Sequence, residues 1–176
     1  MTDRPTAIPP PTMAHPFGFM ARFMVLFGIM EYLYFQIPDS LLRDLFYQQG
    51  LATPCAAAIN FLSAHEHVTA TRGILQSRAV SLEIVRGCDG AGPLFLLTAA
   101  MLAFSVSWRH KISGIIVGVM LLILVNYIRI IGLYFVVRHH GIWFTLVHSY
   151  IVPTMIVVVG CVIFACWSTI GVRRIL

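Results

Sequence analysis

Charged residues are scarce in this 176-residue chain, since Asp, Glu, Lys and Arg together make up only 11% of it, against roughly 25% in soluble proteins. Hydrophobic residues make up 59%. A soluble domain of this size cannot bury so large an apolar surface, because surface-to-volume scaling limits its core. The composition excludes a disordered chain, a collagen-like chain and an ordinary soluble domain, and it predicts an integral membrane protein.

Lysine is almost absent, because Lys111 is the only one and the other cationic residues are arginines. These arginines are spread among apolar runs rather than clustered on one face, which argues against a nucleic-acid partner. The four cysteines lack the CxxC spacing of a zinc site or of a dense disulfide framework. A glycine-rich phosphate loop and a dinucleotide fingerprint are also missing, so we expect no cofactor.

Four apolar stretches are long enough to cross a bilayer, which takes about 20 residues in a helix. They cover roughly 17–37, 91–107, 112–137 and 149–170. The proline-rich segment 1–16 precedes them and predicts a flexible tail without the pattern of a signal peptide. The predicted architecture is therefore an all-α integral membrane protein, a four-transmembrane-helix bundle that forms a single domain over 17–176.

The positive charges orient the bundle. The short loop containing Arg109 and Lys111 and the C-terminal pair Arg173 and Arg174 should be cytoplasmic. Four spans then place the N-terminus in the cytoplasm as well. The segment 38–90 and the loop 138–147 are left on the outer side of a cytoplasmic membrane, facing the periplasm or the exterior.

The long outer segment has two parts. Residues 39–64 have helical spacing with polar positions, which favours an extracytoplasmic amphipathic helix or helix pair at the membrane surface. A fifth span is the competing interpretation. From Val68 the hydrophobic residues recur at every second position, as in a strand. A small β-hairpin that leads to Cys88 is predicted by a strand 68–71, a turn at Arg72-Gly73 and the alternation of 80–84.

Three reactive side chains fall at one depth on this topology. Cys88 precedes the second span, and His148 opens the fourth. Arg129 lies 17 residues beyond Ile112 in the third span, or roughly 26 Å up the helix. All three should therefore meet in one pocket near the outer face, where a cation and a base can activate a thiol nucleophile.

Each of these residues also has a plainer interpretation. Cys88 could be a buried small hydrophobe or could pair with Cys55 outside the membrane. Arg129 could reach the interface along its own helix, although Asn126 shares its helix face and favours a pocket. A lone histidine such as His148 is usually structural.

Other histidines offer a metal-binding alternative. His65-Glu66-His67 and His139-His140 are the candidate clusters, but no third ligand is evident for either, so we expect no metal site and favour a solvated outer loop.

The motifs Cys88-Asp89-Gly90, Asn126-Tyr-Ile-Arg129 and His148, in this order and on successive helices, resemble those of the exosortase/archaeosortase family of membrane-embedded cysteine transpeptidases. The resemblance covers about 37–167 and is closest to the compact members, of the exosortase H type. It implies substrates with a C-terminal sorting signal made of a short motif, a transmembrane helix and a basic end.

The resemblance also implies roles. Cys88 attacks the scissile carbonyl, His148 acts as general base and acid, and Arg129 stabilises the oxyanion or positions the motif. Asn126 orients Arg129 or donates a hydrogen bond.

Residues beside the nucleophile have supporting parts. Gly90 allows a sharp turn and a close approach of the substrate. Asp89 departs from the small residue that the family usually has. A carboxylate there opposes thiolate formation unless Arg86 or Arg129 pairs with it.

Two other functions compete with the transpeptidase. One is a non-catalytic membrane assembly factor or helix-binding subunit, and the other is a histidine-based cofactor or metal protein. The sequence leaves the oligomeric state open, and it leaves transfer to an acceptor and simple hydrolysis as alternatives.

Overall fold

The computed structural model describes residues 16–173, so the predicted tail lies outside the described residues apart from Pro16, which opens the first helix. The helices are α1 (Pro16–Phe35), α2 (Asp39–Leu41), α3 (Thr53–Leu62), α4 (Ala91–Ala103), α5 (Trp108–His140), α6 (Phe144–Leu146) and α7 (Val152–Arg173). A first π-helix (Leu42–Ala52) joins α2 to α3, a 3₁₀ turn (Gly141–Trp143) follows α5, and a second π-helix (Val147–Ile151) leads into α7.

Two helical stretches are long and apolar enough to cross a membrane, judged by length and composition. They are Phe17–Phe35 and the run Trp108–Gly171, which comprises α5 and α7 and the short turns between them. The second span was predicted to cover 91–107, but the helix is shorter than that. It ends at Ala103, because Phe104 is extended (φ −72°, ψ 137°). The helix spans about 20 Å at 1.5 Å per residue.

The segment 38–90 contains a three-stranded antiparallel sheet, so the predicted hairpin is present and a further strand extends it. Its strands are β1 (Thr69–Thr71), β2 (Ile74–Gln76) and β3 (Ser81–Glu83), in the order β1-β2-β3. The first turn lies where predicted, with Arg72 at φ 49° and Gly73 at φ 77°, as in a type I′ turn.

A second turn made the extra strand possible. The Ser77 side chain accepts hydrogen bonds from the backbone N–H groups of Ala79 and Val80, at 3.4 and 3.2 Å. This local cap reverses the chain after β2. The alternating pattern does not reveal it, because β2 has only three residues.

Two hydrophobic clusters hold the molecule together. The outer cluster joins the first π-helix and α3 to the sheet and to the end of α5, and its most buried members include Ile59, Leu75 and Tyr134. The other cluster lies where α4, α5 and α7 pack together, around Met101 and Leu122. The residues 39–62 therefore pack on the sheet and α5, and they are not among the stretches apolar and long enough to span.

Close packing fixes α5 between its neighbours. A Cβ at Gly118 would lie 2.9 Å from Leu97 of α4, and one at Gly114 would meet the ring of Trp167 in α7. The rings of His110 and Trp167 stack with centroids 4.9 Å apart, and the Lys111 ammonium donates to the Leu102 carbonyl at 2.7 Å. The start of α5 thus contacts the ends of α4 and α7, and its far end reaches the sheet.

Candidate active site

Cys88 lies in the short loop between β3 and α4. Its backbone N–H donates to the Val85 carbonyl at 2.9 Å and closes a turn. Gly87 and Gly90 have φ values of 87° and 83°, a conformation that glycine adopts without the penalty of a side chain. These two glycines let the chain fold back sharply on either side of the half-buried thiol.

His148 contacts the thiol directly. The Cys88 Sγ atom lies 3.3 Å from His148 Nε2 and 3.7 Å from Nδ1. The imidazole stacks on the ring of Phe144, four residues earlier, with centroids 5.1 Å apart. The second π-helix and this stacking therefore hold the ring in reach of the sulfur, although the two residues are 60 positions apart in sequence.

Arg129 approaches the same sulfur from α5. Its Nη2 lies 3.8 Å from Cys88 Sγ, and its Nη1 donates to the Gly87 carbonyl at 3.4 Å. The residue is only 5% exposed. Within the described residues its Nε has no hydrogen-bond partner. A fixed positive charge with a spare buried donor therefore lies beside the thiol.

Asn126 forms its hydrogen bond with the loop that carries Cys88 and not with Arg129. Its Nδ2 donates to the Asp89 carbonyl at 2.9 Å. Within the described residues Asn126 makes no hydrogen bond to Arg129, and the catalytic roles suggested for it stay predictions. A Cβ at Gly90 would lie only 2.8 Å from Asn126 Cγ, so the absence of a side chain at Gly90 lets the loop dock on α5.

Asp89 is bound by groups that sequence reasoning missed. Its Oδ2 accepts hydrogen bonds from the hydroxyls of Tyr34 and Tyr47, the latter at 3.1 Å. Its Oδ1 accepts from the backbone N–H groups of Gly87 and Ala91, at 3.2 and 3.3 Å. Among the described residues neither Arg86 nor Arg129 forms an ion pair with Asp89, so the condition under which its charge would not oppose thiolate formation is not met. A carboxylate in an apolar segment indicates that hydrogen-bond donors lie nearby, but no sequence pattern identifies these two tyrosines as the donors.

Arg86 instead ties the loop to the end of α1. Its Nε bonds Asp39 Oδ1 at 2.8 Å, and its guanidinium donates to the carbonyls of Tyr34 and Ile37, the former at 3.0 Å. The last carbonyls of a helix lack partners within the helix. Arg86 therefore supplies donors to the C-terminal end of α1 and holds the loop that carries Cys88 against that end.

The local electrostatics favour a neutral thiol at rest. Burial raises the pKa of Cys88 above its ordinary value near 9, Arg129 counteracts this rise, and the Asp89 carboxylate adds to it. Burial also raises the pKa of Tyr47 to about 12, so its hydroxyl stays protonated and can donate to Asp89. The Cys88 thiol is therefore protonated at rest, with His148 Nε2 within 3.3 Å of its sulfur.

Two cavities flank the loop. One of about 210 Å³ exposes Cys88 and His148, with Glu83 beside them. Its other walls are apolar and are formed by Leu82, Val85, Ile130, Leu133 and Phe144. A second cavity, of about 560 Å³, lies on the Asp89 and Asn126 side of the loop and has mostly apolar walls. Of these two cavities, the smaller one has Cys88 in its lining.

The alternative interpretations of the outer residues have definite outcomes. Cys55 and Cys88 are both free, so they form no disulfide. Within residues 16–173 no three His, Cys, Asp or Glu side chains cluster closely enough to hold a metal ion. Glu66 instead accepts hydrogen bonds from the Tyr134 hydroxyl at 2.7 Å and from Arg138 Nε at 3.1 Å.

His148 and Arg129 therefore each reach the sulfur of Cys88, while Asn126, Asp89, Gly90 and Arg86 shape the loop that carries the thiol. Comparison of the chain with models of known families, with curated proteins and with solved structures gave no match.

Proposed function

We propose that this protein is a membrane-embedded cysteine transpeptidase of the exosortase type. It would cleave the C-terminal sorting signal of secreted proteins near the outer membrane face and transfer the new C-terminus to an acceptor. The observation that carries the proposal is the 3.3 Å contact between Cys88 Sγ and His148 Nε2, with Arg129 beside the same sulfur. A nucleophile, a base and a fixed cation in contact are the parts that thiol acyl transfer needs.

The proposed first half-reaction forms a thioester. His148 takes the proton from Cys88 as the sulfur attacks the scissile carbonyl carbon. The carbonyl oxygen becomes negative, and the Arg129 guanidinium stabilises it. The tetrahedral intermediate then collapses, the C–N bond breaks, and His148 returns the proton to the leaving amine.

The second half-reaction reverses these roles. An acceptor amine or a water molecule gives its proton to His148 and attacks the thioester carbonyl. The sulfur leaves and regains the proton. No cofactor is needed, because the two residues hold and return every proton in the cycle.

We further propose a multi-pass arrangement in the cytoplasmic membrane with α1, α4, α5 and α7 as the four spans. Large apolar side chains are exposed along the outside of the bundle, among them Met24, Ile29, Ile128 and Val162. Such faces suit lipid better than water. Lys111 lies at the end of α5 away from the thiol, which agrees with a cytoplasmic position for that end.

The proposed partners are a sorting-signal protein and membrane lipid. The substrate would present an extended motif to Cys88, and its own transmembrane helix would lie beside the bundle. The basic residues of the chain do not form a nucleic-acid-binding cluster, which agrees with a protein substrate.

Co-expression with a tailed secreted protein, such as one encoded by a neighbouring gene, tests the proposal. Processing should be lost in Cys88→Ala and should fall by about 100-fold or more in His148→Ala. Cys161→Ala and Cys166→Ala are matched controls, since both thiols are free and exposed, and they should process normally. Hydroxylamine should release a substrate fragment that is bound to the wild-type enzyme.

Processing by a well-expressed Cys88→Ala variant would disprove the nucleophile assignment. A wild-type protein that binds the tail in pull-down but leaves it intact would instead support the helix-binding subunit.

A further inference from the structure

Strand β3 lies at the edge of the sheet and has one partner, β2. In antiparallel pairs, residues that exchange backbone hydrogen bonds alternate with residues that do not. The Ile84 N–H donates to the Gly73 carbonyl at 2.9 Å, so this pair is a hydrogen-bonded one. Two residues along in the same register, Leu75 and Leu82 form the next such pair.

The peptide groups of Ser81 and Glu83 therefore point away from β2. Within the described residues, neither the N–H nor the carbonyl of these two residues has a hydrogen-bond partner on that side. The Glu83 side chain is bound to Arg43 at 2.9 Å, but this contact leaves the backbone groups open. The edge thus offers two donors and two acceptors at the spacing of an added strand.

This open edge leads directly to the nucleophile. Leu82, Glu83 and Val85 line the same cavity as Cys88 and His148. The turn that carries the thiol is closed on the Val85 carbonyl, two residues after β3. A chain lying along β3 would therefore bring its next residues over the sulfur.

We propose that β3 binds the substrate as an added fourth strand, so that the extended motif hydrogen-bonds to Ser81 and Glu83 and delivers the scissile carbonyl to Cys88. The residue that acylates the thiol has an apolar side chain, because the cavity walls next to the sulfur are apolar. Addition of a strand to an open edge recognises the backbone, while the adjoining pocket selects the side chain. This inference rests on the proposed function, since it assigns the substrate of the same thiol.

Peptidyl chloromethyl ketones test the inference, because the cysteine sulfur displaces chloride and forms a thioether. Peptide mass spectrometry after labelling of the full-length protein locates the thioether on Cys88 and separates it from labelling of the exposed Cys161 and Cys166. Two reagents are compared on the protein in detergent: acetyl-Leu chloromethyl ketone and acetyl-Ala-Ala-Leu chloromethyl ketone. Only the longer one can pair with β3. We expect it to alkylate Cys88 about tenfold faster or more, as several added hydrogen bonds imply.

Proline at Ser81 removes an outward donor and leaves the β2 ladder intact. Ser81→Pro should lose most of the advantage of the longer reagent and keep the rate of the shorter one. Ala70→Pro is the control on the opposite edge: the Ala70 N–H in β1 also points away from β2, but its carbonyl already accepts a hydrogen bond from Gln48 Nε2 at 2.9 Å. It should keep the wild-type ratio of the two rates.

Methylating the backbone amides of the longer reagent gives the same test without a variant, and it decides the matter if Ser81→Pro misfolds and loses both rates. Equal rates for the two reagents on the wild type, or a full advantage retained after methylation, would overturn strand addition while leaving the thiol assignment intact. Absence of alkylation by either reagent would overturn both the proposed function and this inference.

Discussion

Arg129 and Cys88 are joined through both ends of one guanidinium: Nη2 lies 3.8 Å from the sulfur, and Nη1 donates to the carbonyl of Gly87, the residue before the thiol. The arginine therefore holds the loop and at the same time places its positive charge beside the thiol. A lysine ammonium is a single point of charge and cannot hold both contacts in this fixed geometry.

Substitutions of Arg129 should separate the effect of its positive charge on the reaction rate from the effect of its two fixed contacts. Under the proposed mechanism, Arg129→Gln should slow thioester formation by about 100-fold to 1,000-fold, as removal of an oxyanion donor does in known acyl-transfer enzymes. Arg129→Lys should be slower than the wild type but faster than Gln, because it keeps the charge. Single-turnover cleavage of a tailed substrate measures both rates. A Gln variant with wild-type rate and normal thermal stability would exclude Arg129 from catalysis.

The reactivity of the thiol with a small reagent should follow its raised pKa. Because burial raises the pKa of Cys88 above about 9, alkylation by iodoacetamide should still be increasing with pH beyond that value. Arg129 lowers this pKa, so Arg129→Gln should move the profile to higher pH. Asp89 raises it, so Asp89→Asn should move the profile the other way. Peptide mass spectrometry over a pH series gives the profile of Cys88 separately from the exposed Cys161 and Cys166, and a plateau already reached at neutral pH would show a preformed thiolate.

The contact between Arg129 and Cys88 could be predicted from the sequence because helix geometry is regular. Counting from Ile112 at a fixed rise per residue placed Arg129 near the level of Cys88, and the structure brings the two into contact. Their catalytic roles remain predictions. The helix and strand boundaries were less predictable where local caps decide them, as at Ser77 and at Phe104, because one side chain or one extended residue changes the path.

The hydrogen-bond partners of Asp89 could not be predicted by counting residues along a helix. Tyr34 lies in α1 and Tyr47 in the first π-helix, and they reach the carboxylate only because the outer segment folds back on the bundle. Sequence patterns specify the face of a helix, whereas contacts between distant elements depend on the packing of the whole molecule.

The hydroxyl of Tyr47 should contribute to stability through Asp89. Tyr47→Phe removes a donor to a carboxylate at a buried position, and a hydrogen bond to a charged group is worth about 1.5–3 kcal/mol. Tyr32→Phe is the matched control, because Tyr32 is 64% exposed. Thermal unfolding in detergent should show a lower midpoint for the first variant alone. Equal midpoints would show that water replaces the hydroxyl without loss.

The two glycines around Cys88 allow a comparison of strain with steric contact. Both have positive φ, but a Cβ at Gly87 meets nothing within 4 Å, while one at Gly90 lies 2.8 Å from Asn126 Cγ. Gly87→Ala should therefore cost about 1–2 kcal/mol of strain. Gly90→Ala should cost about a further 1–3 kcal/mol of overpacking and should displace the loop from α5. Thermal unfolding and the rate of Cys88 alkylation measure the two effects, and similar results for both variants would contradict the close approach.

Glu66 should make the attachment of the outer segment to α5 sensitive to acid. Hydrogen bonds from Tyr134 and Arg138 hold the pKa of this carboxyl below its ordinary value of 4.5. A carboxyl with a depressed pKa in the folded state stabilises that state fully above the unfolded value and loses the contribution as pH falls through the folded value. The protection factors of the β1 backbone amides, which compare each exchange rate with its intrinsic rate at the same pH, should therefore fall in the wild type below about pH 4.5. Glu66→Gln should exchange faster at neutral pH and show little further change from this site on acidification, and Arg138→Gln should move the transition to higher pH. Identical acid profiles for the wild type and Glu66→Gln would assign the sensitivity to another group.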